Sequence, residues 1–203
     1  MIYVRYPQLN GCRKDIEQSI VILKDCFRQG GKLLVCGNGG SSADSDHIVG
    51  ELMKGFLKKR PLTAETRLKL INAGIDEITA SGLQGALPAI SLTSQTALTS
   101  AFGNDADPET VYAQEVYGYG RPGDALMCIS SSGNSENIVR AAKTASAIGL
   151  YTVALTGREE SRLSDICDVT VKVPETETYR VQELHLPVYH YICSRLEEIF
   201  FGD

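Results

Sequence analysis

Two stretches decide how this chain is read. Lys32-Leu33-Leu34-Val35-Cys36 runs into Gly37-Asn38-Gly39-Gly40-Ser41-Ser42, and Ala125-Leu126-Met127-Cys128-Ile129 runs into Ser130-Ser131-Ser132-Gly133-Asn134-Ser135. In each, a short apolar run passes into a small, hydroxyl-rich loop and then into a helix-like segment. At such a switch the free backbone N–H groups and the positive end of the helix dipole face an anion. Neither loop carries the lysine of a nucleoside-triphosphate loop, and the first lacks the third glycine of a dinucleotide fingerprint. What remains is a serine-rich cradle suited to the phosphate of a small metabolite.

Outward from these loops, apolar strand-like runs recur at 32–36, 88–92, 125–129, 151–155 and 169–173. They are short and apolar on both faces, as parallel strands buried between helices are. Helix-like segments alternate with them, at about 42–57, 94–102, 108–118, 135–148, 161–167 and 180–200. Ile16, Ile20, Leu23 and Phe27 add an N-terminal helix that Gly30-Gly31 ends. The pattern predicts an α/β fold: a three-layer αβα sandwich on a five-stranded parallel sheet, with an N-terminal helix. Ligands of such sheets sit beyond the carboxyl ends of the strands, where both serine loops fall. Residues 1–203 are expected to form one domain. Only 58–87 breaks the rhythm, opening on Lys58-Lys59-Arg60-Pro61 and leading to Gly82-Leu83-Gln84-Gly85. A lid, an oligomer contact and a plain excursion all fit that segment.

Composition narrows the function classes. With 43% hydrophobic and 22% charged residues, the chain reads as a water-soluble globule. A net charge of −5 argues against non-specific nucleic-acid binding, and Lys58-Lys59-Arg60 is the one basic cluster. No apolar run approaches the length of a membrane span, and the N-terminus lacks a secretory pattern. The six cysteines are scattered without a C-x-x-C pair, as reduced buried thiols would be, so a cytoplasmic protein is expected.

Three histidines occur: His47, His185 and His190. His47 and Glu51 stand at i and i+4 on one helical face, where a carboxylate at the border of apolar surface is suited to proton transfer. A structural His–Glu hydrogen bond satisfies the same spacing. The segment Tyr179 to His190 places Gln182, Glu183, His185 and His190 on successive turns, and Pro187 would kink this helix or mark its start. These residues also read as the polar side of an amphipathic helix. Asn104-Asp105 falls in an expected turn, Gly103-Asn104-Asp105-Ala106-Asp107, where aspartate is also a routine cap, and Ser135 equally suits the cap of the next helix.

Taken in order, the 36–42 loop, His47-x-x-x-Glu51, Gly103-Asn104-Asp105, the 130–135 loop, Leu155-Thr156-Gly157 and Arg180-Val181-Gln182-Glu183-Leu184-His185 resemble the sugar isomerase (SIS) domain. Within it they are similar to the phosphoheptose isomerases. The resemblance implies a flavodoxin-like fold. It also implies isomerisation of sedoheptulose 7-phosphate to D-glycero-D-manno-heptose 7-phosphate by enediol proton transfer. By the same resemblance Glu51 and His190 are the acid/base pair, and His47, Glu51, Gln182 and His190 hold one zinc per subunit. Ser41, Ser130, Ser131, Ser132 and Ser135 would bind phosphate, with Asn38, Gly39, Gly40 and Asn134 completing the loops. Asp105 and Gln182 would lie near the sugar, in a homotetramer with active sites shared between subunits. A non-catalytic SIS protein that binds a phosphosugar as a regulator or adaptor shares the serine loops but tends to lack the glutamate and terminal histidine. Three departures bear on the sugar rather than the reaction: the length of 58–87, Tyr179 where an aspartate often stands, and Pro187.

Overall fold

The computed structural model describes residues 2–202. The five apolar runs form β1 (Leu33–Gly37), β2 (Ala89–Ser91), β3 (Ala125–Ile129), β4 (Tyr151–Thr156) and β5 (Val169–Lys172). All pairings are parallel, in the order β2-β1-β3-β4-β5. Winding therefore reverses between β1 and β3, and ligands of open α/β sheets bind in the crevice at such a reversal. Cys36 pairs with Cys128 and Gly37 with Ile129, so the two serine loops leave neighbouring strands at the same level.

Among the described residues ten α-helices surround the sheet: α1 (Ile2–Arg5), α2 (Arg13–Arg28), α3 (Gly40–Met53), α4 (Ala64–Asn72), α5 (Glu77–Gly82), α6 (Thr96–Asp105), α7 (Val111–Tyr119), α8 (Glu136–Ala147), α9 (Arg162–Ile166) and α10 (Thr178–Phe201). The alternation of side chains along a strand sorts them into two layers. Leu33 and Val35 of β1 and Met127 of β3 join a core with Ile16 and Leu23 of α2, Ile48 of α3 and Val188 of α10. Leu34, Cys36, Leu126 and Cys128 face the other way, onto Val116 of α7 and Val139 and Ala142 of α8. Ile16, Ile20, Leu23 and Phe27 are all buried, as their spacing predicts.

Two local expectations are corrected. Pro187 does not mark the start of the last helix, which runs from Thr178 to Phe201 and is continuous across it. Proline withholds one N–H, from the carbonyl of Glu183, at a cost of about 3 kcal/mol. Its neighbours Val181, Leu184, Val188, Tyr189 and Ile192 are buried along the same helix and outweigh that loss. Residues 103–105 are not a turn but the end of α6. The capping role falls instead to Asp107, whose carboxylate accepts from the Glu109 N–H at 3.0 Å and opens a short 3-10 turn.

The 58–87 segment is a pair of short helices, α4 and α5, on a firmly held base. Arg60 and Glu197 are 0% and 1% exposed and meet at 2.8 Å. The Glu197 carboxylate also accepts from the N–H groups of Phe56 (2.8 Å), Leu57 (2.7 Å) and Lys58 (3.0 Å). The guanidinium lies over the Phe201 ring at 4.6 Å and donates to the carbonyls of Leu52 (2.7 Å) and Glu51 (3.0 Å). Burial alone would raise the Glu197 carboxyl, but the N–H groups of Phe56 and Leu57 and the Arg60 guanidinium hold it below the usual range. The pair thus closes the C-terminal end of α3, whose last turn carries Glu51.

Candidate active site

Both serine loops lead into helices whose N-termini lack side-chain caps. α3 begins after Gly39, and α8 begins after Ser135, whose hydroxyl makes no capping bond. The N–H groups of Ser41 and Ser42 already donate to the Asn38 and Gly39 carbonyls, and that of Ile138 to Asn137 Oδ1, so an anion between the loops would meet the serine hydroxyls and the positive ends of the two helices. Between the loops lies a cavity of about 280 Å³, walled by residues 38–41, by Ile129, Ser130, Ser131 and Ser135, and by Thr178 and Gln182 of α10. Its halves are stitched together by a reciprocal amide pair: Asn38 donates to Asn137 at 2.9 Å and Asn137 to Asn38 at 3.0 Å. The hydroxyls of Ser130 and Ser135 stand 3.3 Å apart. Gly40 is needed for close approach, since a Cβ there would lie 2.8 Å from Nε2 of Gln182.

The cavity does not take in every residue expected of it. Ser132 and Asn134 stay outside and shape the loop: Asn134 N–H donates to Ser132 Oγ at 3.2 Å and its amide to the Ser132 carbonyl at 2.9 Å. Asp105 is exposed at the end of α6, where its carboxylate accepts from Asn104 at 2.8 Å. Nothing brings it to this cavity, because the turn that would have aimed it is helix. Gly133 is indispensable to the loop: its φ is +65°, and a Cβ would lie 2.1 Å from Ser161 Oγ. Gly133→Ala is therefore expected to cost about 1–3 kcal/mol from overpacking alone. Thermal melts and phosphate-competition titrations check this; an unchanged melting temperature with unchanged phosphosugar affinity would contradict it.

Along α3 and α10 lies a second group. His47 Nε2 is 3.2 Å from Glu51 Oε1, as their i, i+4 spacing predicts, and Lys54 Nζ is 3.1 Å from the other carboxylate oxygen. His190 Nε2 reaches His47 Nε2 at 3.4 Å, and the two rings meet edge to face with centroids 4.9 Å apart. Burial, then the neighbouring His47, lowers the His190 pKa, so the ring is neutral near neutral pH. His185 belongs to the core: it is fully buried, points Nε2 at the Thr156 carbonyl and is held down to about 4 by burial.

The expected zinc ligands divide between the two groups. Gln182 and His190 are eight positions apart on α10, about 12 Å along its axis. Gln182 rests on Gly40 in the anion cavity, while His47, Glu51 and His190 gather around His47 Nε2. Among the described residues no three His, Cys, Asp or Glu side chains close into a ready-made metal cage. Two imidazoles and a carboxylate nevertheless form a donor set that suits zinc and leaves a coordination position open.

Several residues of the site had no mark in the sequence reading. Asp44 stands one turn before His47, and that spacing was a usable signal. Tyr189 touches both of them: its hydroxyl donates to Asp44 at 3.1 Å and lies 3.0 Å from His47 Nδ1. Its role depends on how α10 crosses α3, as do those of Thr178 and the Arg60–Glu197 pair, and no local pattern carries that.

A parallel sheet with two uncapped, serine-lined helix N-termini at its switch point defines a protein of the SIS class. Residues 10–81 and 74–157 match the family model of the SIS domain. A phosphoheptose isomerase from Akkermansia muciniphila is 37% identical over 188 residues, which is 93% of this chain and 87% of that protein. The solved phosphoheptose isomerase of Neisseria gonorrhoeae has a TM-score of 0.74 and 31% identity over 92% of this chain and 86% of that one. That of Francisella tularensis has a TM-score of 0.76 and 28% identity, over 97% and 92%. The chain belongs to the phosphoheptose isomerase family of SIS-domain proteins, and it is an isomerase.

Proposed function

We propose that this protein interconverts sedoheptulose 7-phosphate and D-glycero-D-manno-heptose 7-phosphate. The observation that carries the reading is the pairing of Glu51 and His190 around His47, on the helices that also wall the anion cavity. The ketose-to-aldose direction needs one proton taken from C1 and returned to C2, and another moved from the C1 oxygen to the C2 oxygen. Glu51 is placed to carry the carbon-bound proton, with Lys54 Nζ 3.1 Å from its far oxygen. His190, neutral near neutral pH, carries the proton between the oxygens. Ser41, Ser130, Ser131 and Ser135, with the positive ends of α3 and α8, hold the phosphate, and Gln182 adds a polar wall on the sugar side. Ser132, Asn134 and Asp105 would serve by shaping or closing the site rather than by lining the cavity.

His47, Glu51 and His190 would hold zinc, which supplies Lewis-acid polarisation of the carbonyl and stabilisation of the enediolate oxygens. Gln182 would join them only by leaving Gly40. Beside His190 a second cavity, of about 330 Å³, is walled by α1, Phe56, Leu57 and Pro187 and stays open to solvent. Leu57 of its wall is exposed, as are Val4 and Leu186, next in sequence to the lining residues Arg5 and Pro187, which supports the homotetramer with subunits meeting near the site. All six cysteines are free, which supports a reducing cytoplasm, and no described helix is long and apolar enough to cross a membrane.

Proton NMR in deuterated water, with and without zinc, tests the reaction. Sedoheptulose 7-phosphate should lose its C1 proton signal and give a new aldose signal, while ribulose 5-phosphate and fructose 6-phosphate stay unchanged. Line broadening without exchange for all three would replace the isomerase with a phosphosugar-binding regulator or adaptor.

A further inference from the structure

Packing, more than hydrogen bonding, holds the His190 imidazole. Among the described residues its one hydrogen-bond contact is Nε2 to His47 Nε2, at 3.4 Å. The torsion that turns an imidazole is broad, so a single long contact does not fix the plane of the ring. Three rings surround it instead. His47 and Tyr189 meet it edge to face, with centroids 4.9 Å and 5.0 Å away, and Phe56 lies tilted against it at 5.4 Å. His47 and Tyr189 belong to α3 and α10, whose crossing builds the site. Phe56 comes from neither helix and takes no part in the proton transfers.

Phe56 is carried on a short strap, residues 54–56, that leaves the end of α3 and touches both members of the acid/base pair. At its start Lys54 Nζ lies 3.1 Å from Glu51 Oε2 and 3.2 Å from the Gly55 carbonyl oxygen. Gly55 N–H donates to Gln84 Oε1 at 2.8 Å, and Phe56 N–H to Glu197 Oε1 at 2.8 Å. A Cβ on Gly55 would run into the Lys58 carbonyl, so the turn admits only glycine there. Phe56 and His190 wall the same open cavity of about 330 Å³, so an imidazole without Phe56 against it has room to swing. We infer that Phe56 is a positioning residue for the isomerase: its ring fixes the plane of His190, on a strap set by Gln84 and Glu197 at the base of the 58–87 segment. The inference rests on the reading of His190 as one of the acid/base pair. Phe56 is no part of the anion cavity, so its loss should appear in kcat and not in KM.

The test compares Phe56→Leu, which removes the ring face, with Phe56→Tyr, which keeps it, in the full-length protein. With sedoheptulose 7-phosphate, Phe56→Leu should lower kcat by about 10- to 100-fold, the cost of misplacing a reacting group by about 1 Å, with KM nearly unchanged. Phe56→Tyr should retain most of the wild-type kcat. Nuclear Overhauser contacts between the ring protons of His190 and His47 report the ring plane without turnover, the signals being assigned with His47→Gln and His190→Gln. They should be present in the wild type and in Phe56→Tyr and lost in Phe56→Leu. Far-ultraviolet spectra establish that each variant is folded, and Phe56→Met takes the place of a Phe56→Leu chain that is not. An unchanged kcat, an equal loss in Phe56→Tyr, or a ring contact that survives in Phe56→Leu overturns the inference. A wild type without turnover rejects the acid/base reading alone, since the ring contact still decides whether Phe56 holds His190.

Discussion

Glu51→Gln is expected to slow isomerisation by roughly 100- to 10,000-fold, the range contributed by a positioned acid or base, while phosphosugar affinity stays within a few-fold. Glutamine keeps the size of the side chain and its place beside His47 and Lys54, but an amide does not accept the carbon-bound proton. The anion cavity is walled by residues 38–41, by Ile129, Ser130, Ser131 and Ser135, and by Thr178 and Gln182, none of which the substitution alters. Steady-state kinetics paired with isothermal titration separates the two effects. Lost binding with residual turnover would remove Glu51 from the role of base.

The second large effect lies away from the reacting atoms. Arg60→Met or Glu197→Leu strands a charge in a site that is 0–1% exposed, and the loss of one partner from such a pair costs about 3–5 kcal/mol. At roughly 2–4 °C per kcal/mol for a chain of this size, the melting temperature should fall by about 6–20 °C. The double variant decides between mechanisms. Replacing a buried pair with apolar residues is often neutral. Here it would leave the N–H groups of Phe56, Leu57 and Lys58 without their acceptor, so only part of the stability should return. Full recovery in differential scanning calorimetry would show that the backbone bonds to Glu197 contribute little. The folded Glu197 carboxyl is held below its usual range, so its contribution is present above the unfolded pKa of about 4.3 and is lost as pH falls through the folded value.

The sequence reading succeeded where a local pattern and a tertiary role coincide. Ile16, Ile20, Leu23 and Phe27 marked α2 because a helix one face of which is buried repeats its apolar residues at that spacing. The strands were visible as doubly buried runs, and the serine loops were visible because a strand-to-helix switch needs small residues. His47 and Glu51 declared themselves by sharing a face. The turn expected at 103–107 did not form: Gly103-Asn104 suits a turn, yet α6 runs on to Asp105 although it buries no residue of its own. Pro187 as a helix start failed in the opposite sense, since a local penalty was outweighed by burial of the turns around it. The contacts of Tyr189 with Asp44 and of Glu197 with Arg60 join residues more than a hundred positions apart. Their partners are set by the crossing of α10 over α3, which is not encoded near either residue.

The base of the 58–87 segment is closed independently of its contents. Gly85 N–H donates to the Arg60 carbonyl at 2.7 Å, Pro61 pairs with Gln84, and the Gln84 amide oxygen accepts from Gly55 N–H at 2.8 Å. Helix α4 buries no side chain of its own. Whatever lies between positions 61 and 84 starts and finishes at one fixed point on the scaffold. Doubling the length of such a connection adds about 0.6 kcal/mol of closure entropy. The chain therefore carries a permissive port, anchored to the scaffold by the Arg60–Glu197 pair, through which residues can be gained, lost or grafted without re-registering the sheet.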